Sequence, residues 1–394
     1  MKYQLASRMA GMKASAVREI LKVTQRPEVI SFAGGLPAPE LFPVDEISKV
    51  AQEVCAEEGR KVLQYATTEG RPTLRQKIAD RMNKIYNSDL KMENILITTG
   101  SQQNLDMAGK IFLNPGDVVL MEAPTYLAAI NAFKAYECTF KEVPTDDKGM
   151  IPEALEKILE TTENVKLVYV ITDFQNPTGI CWPMERRKAF MEIMAKYDIP
   201  VLEDNPYGEL RYEGTTNPSL LSMDQRGQVM GMGTFSKTFC PGLRIGWIAP
   251  GRYYDRLLQM KYAASGTNVP STQLAACNFI REGHYHRHVR RMRQIYQRNM
   301  EIYTCWLREY FPCGICVTRP KGGYMLWVEL PEHVDMVCVA KQLCRLKIQV
   351  APGSLFSASG KYRNCVRINC ALPPIEKHRE VMVKLGDAVK VAME

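Results

Sequence analysis

The chain has 394 residues, 46% hydrophobic and 24% charged, with 51 Lys+Arg against 43 Asp+Glu and a formal net charge of +8. That length exceeds one ordinary core, so it predicts one large and one smaller domain with room for a deep, dry site. The charges are mixed along the chain and no apolar run approaches a membrane span, which argues against a nucleic-acid binder and against a membrane protein.

The chain holds 12 cysteines. Its polar opening, Met1 to Ala10, lacks an apolar signal core, so reduced thiols in a cytoplasm are expected. Cys313 and Cys316 form a CxxC without a second pair and read as ordinary thiols. His284, His286 and His288 lie in a basic helical stretch without a nearby carboxylate pair, so no metal is expected there.

In chain order, short apolar runs alternate with helical patterns from about Asp45 to Gly283. Strands are predicted at Ile95–Thr99, Val118–Glu122, Val165–Thr172, Pro200–Glu203 and Gln228–Phe235, with amphipathic helices such as Ser101–Leu113 and Met184–Tyr197 between them. This alternation predicts an α/β fold with a largely parallel sheet covered by helices. Ligands of such sheets bind beyond the carboxyl ends of the strands. The segments there are GSQQ, APTY, FQNPTG, EDNPY and TFSK. From about His284 the pattern becomes a long helix, a strand near Gly323–Leu330, a helix near Met336–Leu346, and strands near Lys347–Ala351 and Val366–Asn369. The expected division is a large domain over 45–283 and a smaller α/β domain from 1–44 with 284–394.

The stretch TFSKTFCPGLRIGW, residues 234–247, carries the most specific chemistry. Thr234 and Ser236 alternate along a strand end, so their hydroxyls share one side. Lys237 follows, and Arg244 returns just after the Pro241-Gly242 turn. An amine, two hydroxyls and a guanidinium suit an aldehyde phosphate: the lysine forms a Schiff base and the others hold the phosphate. Ser101 and Gln102 open a helix, where free N–H groups and the helix dipole attract an anion. Alone, Ser101 reads as an ordinary N-cap; beside the lysine motif a phosphate cradle is favoured.

Asp204 ends an apolar strand, and a buried acid there needs a cationic partner such as a protonated pyridine. A salt bridge or helix cap is the plainer alternative. Asn176, in a turn set by Pro177 and Gly179, and Tyr207 are placed to reach a phenolate oxygen. An Asx-turn and a packed ring are their alternatives. Tyr126 is placed to stack on a cofactor ring, or is simply core.

The ordered series GGLPAPELFP, QYATTEG, GSQQ, APTY, FQNPTG, EDNPY, SKTFCPGLRIGW, RPKGGYMLW and VRIN resembles the class I aminotransferases of the fold-type-I pyridoxal-phosphate (PLP) superfamily. ASAVREILKVTQRPEVISFAGGLPAPELFP is similar to the N-terminal region of the 2-aminoadipate and kynurenine aminotransferase group. The resemblance implies a mostly parallel seven-stranded sheet, with Lys237 as Schiff-base lysine and proton shuttle. It implies Asp204 at the pyridine nitrogen, Asn176 and Tyr207 at the phenolate oxygen, and Tyr126 on the ring. Ser101, Gln102, Thr234, Ser236 and Arg244 would hold the phosphate. Arg367, with backbone near Gly34 and Gly35 and with Asn176, would bind the substrate's α-carboxylate. Tyr65 would cross a homodimer interface to the partner's phosphate. Arg18 would meet a distal carboxylate, unless it is a solvated helix residue in an i,i+4 pair. The implied reaction is ping-pong transamination between an acidic, aromatic or aliphatic L-amino acid, 2-aminoadipate among them, and a 2-oxo acid such as 2-oxoglutarate. The alternatives are a PLP-dependent β-lyase and the effector domain of a PLP-sensing regulator. For the second, the pattern begins within the first few tens of residues, so no N-terminal DNA-binding module is expected.

Overall fold

The computed structural model describes residues 6–9, 26 and 28–394. Its main sheet runs in the order Leu96–Thr98, Gly246–Ala249, Val229–Thr234, Val201–Asp204, Val165–Val170, Val118–Ala123, Thr139–Asp146 and the two-residue edge strand Gly149–Met150. The five predicted strands all form, within a residue or two of their expected ends at most positions. Each is an apolar run flanked by turns, and Val118–Ala123 is buried at every position, the pattern of a strand covered on both faces.

Neighbours from Val229–Thr234 across to Thr139–Asp146 pair in parallel. Gly246–Ala249 is reversed and pairs antiparallel with both of its neighbours, Gly246 standing opposite Thr234 on one side and Thr98 on the other. This reversal matters for the site. It brings the start of one strand, just after Arg244, to the carboxyl ends of two others, just before Gly100 and Lys237. Asp204 and Ala123 end their own strands at the same edge.

Three of the eight strands of this sheet have no place among the five read from apolar runs, one of them the two-residue edge strand Gly149–Met150. Thr139–Asp146 carries Lys141, Glu142, Pro144 and Asp146, and only Val143 in it is fully buried. It lies next to the sheet edge, where a proline is tolerated and one face meets water. Gly246–Ala249 is only four residues long and follows directly on the motif loop.

A second sheet is antiparallel and ordered Cys316–Val317, Met325–Glu329, Cys365–Asn369, Ala351–Pro352. Leu326, Val328, Val366 and Ile368 face a core shared with Met300, Tyr303 and Leu307 of helix His284–Tyr310 and with Met382 and Leu385 of helix Glu376–Met393. Ile30–Ser31 pairs in parallel with Ile348–Gln349, and Phe32 is fully buried in that same core. Truncating such a ring to Ala costs about 3–5 kcal/mol. Phe32 therefore anchors the chain just before Ala33–Leu36 crosses toward the main sheet.

Candidate active site

A cavity of about 310 Å³ lies at the carboxyl edge of the main sheet, closed on the far side by residues of the second sheet and by Ala33–Leu36. Ser101, Gln102, Tyr126, Asn176, Asp204, Tyr207, Thr234, Ser236, Lys237, Arg244, Gly34, Gly35 and Arg367 all line it. Sequence reasoning named each of these, and the fold brings them into one space. Tyr65 stands apart, 88% exposed, and Arg18 lies outside the described residues.

At one end the geometry suits an anion. Helix Ser101–Phe112 begins at the cavity after Gly100, whose φ of 83° is left-handed. A side chain at Gly100 would be strained at this φ and would press on the end of the Arg244 side chain at 2.5 Å, so the position favours glycine. Arg244 Nη2 donates to the Thr99 carbonyl at 2.9 Å, and its Nη1 lies 3.4 Å from Ser236 Oγ. Ser236 N donates to Thr234 Oγ1 at 3.1 Å. Ser101 Oγ is buried without a protein partner. An unpaired buried hydroxyl beside free helix N–H groups and a guanidinium is the donor set that a phosphate satisfies.

In the middle, Asp204 is buried. Tyr169 Oη donates to its Oδ2 at 2.9 Å, while Oδ1 has no protein partner. Burial pushes this carboxyl up to about 7, against the opposing pull of Tyr169 and Lys237. A cation at Oδ1 would restore the charged form. Tyr169 had no motif to announce it; it is the one hydroxyl-bearing ring on the apolar strand Val165–Val170. Tyr126 caps helix Leu127–Lys134 at the cavity wall, and burial, then the charge of Asp204, pushes its phenol up to about 12.

Lys237 Nζ donates to the Gly35 carbonyl at 2.7 Å. Burial, then the Arg367 charge, presses its ammonium down to about 8. The amine is therefore closer to its neutral, nucleophilic form than an ordinary lysine.

At the far end, Arg367 is buried in the middle of strand Cys365–Asn369. Its Nη1 donates to Asn176 Oδ1 at 2.7 Å, and its Nη2 donates to the Ala33 carbonyl. Its Nε has no protein partner. The Phe356 ring covers one face, 4.6 Å from Cζ. Asn369 Nδ2 fixes the Gly34 carbonyl at 2.6 Å. Gln175 braces the Asn176 turn by donating to the Pro124 carbonyl at 2.6 Å. A Cβ at Gly179, whose φ is 74°, would meet Pro320 at 2.4 Å, so this turn can pack on the second sheet's approach only with glycine. Tyr207 meets Tyr324 edge-to-face, with centroids 5.5 Å apart. Tyr324 Oη donates to the Gly35 carbonyl at 3.2 Å. Leu36, Leu127, Ile171 and Phe356 form the apolar part of the wall, and sequence patterns singled out none of them.

A lysine amine at a parallel-sheet edge, between an anion cradle and an acid awaiting a cation, defines the class: a fold-type-I pyridoxal-phosphate enzyme. The chain belongs to the aminotransferase class I and II family, whose model matches residues 27–385. It is 39% identical to aromatic-amino-acid aminotransferase 1 of Thermococcus litoralis over 98% of this chain and 93% of that one. It is 47% identical to an uncharacterized HTH-type transcriptional regulator, YjiR, of Escherichia coli, over 96% of this chain and 80% of that protein. Among solved structures, kynurenine aminotransferase of Pyrococcus horikoshii superposes with a TM-score of 0.93 at 35% identity, covering 99% and 98% of the two chains. The protein is a PLP-dependent aminotransferase whose substrates are amino acids and 2-oxo acids. Among the described residues, no helix is long and apolar enough to cross a membrane.

Proposed function

We propose that Lys237 is the residue that carries PLP and moves the α-proton of an amino acid, with Asp204 and Arg367 as its two principal helpers. The observation that carries this reading is the Asp204 Oδ1 oxygen, buried, unpartnered and in one cavity with Lys237. In this reading Ser101, Gln102, Thr234, Ser236 and Arg244 hold the phosphate. Asp204 would face the pyridine nitrogen, Tyr126 would lie on the ring, and Asn176 and Tyr207 would approach the phenolate oxygen. PLP supplies, when bound, an aldehyde to take the amino group and a ring to accept electrons. Asp204 would hold a proton on the ring nitrogen, a pairing of roughly 4 kcal/mol at an effective dielectric near 20 before desolvation. Arg367, with Asn176 and the backbone at Gly34 and Gly35, holds the α-carboxylate, which orients the Cα–H bond toward Lys237. Lys237, as the free amine, would take that proton from Cα and give it up two atoms farther along, at the carbon that PLP supplies as its aldehyde.

The preferred donors are aromatic and large aliphatic L-amino acids. Leu36, Leu127, Ile171 and Phe356 offer them an apolar wall. Among the described residues, the cations lining the cavity are Lys237, Arg244 and Arg367, each with a proposed task already. A distal carboxylate, such as that of 2-oxoglutarate or 2-aminoadipate, would call on Arg18. A panel of amino donors with 2-oxoglutarate, read as oxo acid against ammonia, tests the reading. Ammonia as the main product would favour a β-lyase.

We further propose a large domain over 45–283 and a smaller one from 1–44 with 284–394, matching the two sheets. A homodimer places Tyr65 at the partner's phosphate. Leu63, Tyr65, Tyr262 and Val269 are all strongly exposed apolar side chains that a partner would cover. Unpaired cysteines throughout suit a cytoplasmic location. A second reading, as the effector part of a PLP-sensing regulator, is favoured by the 47% identity to the HTH-type regulator. Steady turnover in the donor panel separates the two.

A further inference from the structure

The connection between strands Ala351–Pro352 and Cys365–Asn369 is fastened to the main sheet by a carboxylate outside the cavity. Glu142 lies on strand Thr139–Asp146, and its side chain is 5% exposed. Its Oε1 accepts from Ser357 Oγ at 2.6 Å, from Ala358 N at 2.7 Å and from Ser359 N at 3.3 Å. Its Oε2 accepts from Ser359 Oγ at 2.5 Å, and Lys361 Nζ lies 3.5 Å away. Burial alone would raise this carboxyl, but the hydroxyl and amide donors hold it below its ordinary value. Two further ties join the same connection to the main sheet: Thr125 N donates to the Phe356 carbonyl at 2.8 Å, and Tyr362 Oη donates to the Ala123 carbonyl at 2.7 Å.

Between these ties sits Phe356. Its ring covers Arg367 at 4.6 Å and meets Trp327 edge-on at 6.0 Å. Trp327 and Ala351 flank Arg367 in the second sheet. The connection thus belongs to the strand pair that carries Arg367, yet its grip is on the other sheet.

We propose that Glu142 is a positioning residue for substrate binding: by clasping the 357–361 turn it seats Phe356 on the Arg367 guanidinium and so sets affinity for the amino acid's α-carboxylate. This rests on the reading of Arg367 as the carboxylate site. An aromatic face held on a guanidinium keeps water off it and fixes its plane, and both strengthen a carboxylate's hold. A Glu142 that merely stabilised the loop would leave substrate affinity unchanged.

The test uses PLP-loaded enzyme and single half-reactions with L-phenylalanine and L-leucine. Glu142→Gln should raise the dissociation constant roughly three- to thirtyfold, the span of a cation–π contact. The rate at saturation should stay within about threefold, because only ground-state binding is touched. Ser357→Ala with Ser359→Ala loosens the clasp from the other side without altering the sheet, and should reproduce the effect. Glu142→Gln combined with Phe356→Ala should be no worse than Phe356→Ala alone. Amide hydrogen exchange over 353–362 in substrate-free enzyme should quicken in Glu142→Gln. Quickened exchange with unchanged affinity would overturn the proposal, as would an equal fall in saturated rate and affinity. If Arg367→Gln weakens binding and Glu142→Gln does not, the clasp alone fails. If neither weakens it, the Arg367 reading fails as well.

Discussion

The two ends of the cavity are assembled by different means. Ser101, Thr234, Ser236 and Arg244 come from strand ends within one sheet, set side by side by backbone pairing at Thr98, Thr234 and Gly246. Arg367, Gly34, Gly35 and Phe356 come from a second sheet and its connections, and reach the cavity through the Phe32 anchor, the Asn369–Gly34 hydrogen bond and the Glu142 clasp. The first end is rigid by register. The second depends on side-chain ties between separate layers, each of which one substitution can loosen. The difference suits the ligands. On the proposed reading, a cofactor that stays bound gains from a preformed cradle, whereas substrates of varied shape enter and leave through the other end.

The largest expected effect lies between the two ends. Lys237→Ala should lower turnover by more than about a thousandfold, since nucleophile and proton carrier are lost together. Steady-state oxo-acid formation measures this, and activity within tenfold of wild type would reject the assignment. Asp204→Asn should retain cofactor but lose roughly a hundred- to a thousandfold in turnover, from the lost charge pairing. Near-normal α-proton exchange with solvent deuterium would reject that role.

Changes at the substrate end should act on amino acids and spare the cofactor. Arg367→Gln should cost about thirty- to a thousandfold in kcat/KM for every donor, as loss of a buried carboxylate partner does. Its PLP affinity, followed by absorbance titration, should stay within a few fold. A loss confined to cofactor binding would erase the distinction between the two ends. Arg18→Ala should cost roughly tenfold to a hundredfold for glutamate and 2-aminoadipate, but little for leucine or phenylalanine. A uniform drop across the four half-reactions would make Arg18 a structural residue.

The smallest effect is expected at the cofactor end. Tyr65→Phe removes one hydrogen bond that the homodimer reading gives to the partner's phosphate, which should weaken PLP binding by about tenfold. Cofactor affinity that is unchanged by this substitution, or by dilution to monomer on sedimentation, would contradict the shared site.

The same contrast explains what the sequence revealed. Lys237, Thr234, Ser236 and Arg244 fall within eleven residues of one motif, and Asp204 closes an apolar run, so spacing alone exposed them. The strands behind them were legible because both of their faces are buried. Arg367 and Asn176 were named separately, but their 2.7 Å contact joins positions 191 residues apart and has no local signature. Tyr169, Leu36, Leu127 and Phe356 are apolar or aromatic residues in apolar surroundings, where nothing in the pattern separates a cavity wall from core. Glu142 was hidden for the opposite reason. On a strand with an exposed, charged pattern it looks like one more surface acid, and only the fold brings the 357–361 turn to it.

The central claim is that this aminotransferase carries its cofactor on Lys237 at the sheet edge. Borohydride reduction of the PLP-loaded enzyme, followed by peptide mapping, tests it most directly. The account predicts a single pyridoxyl group on the peptide containing Lys237 and none in Lys237→Ala. A pyridoxyl group fixed to a different lysine in the wild-type enzyme would contradict it.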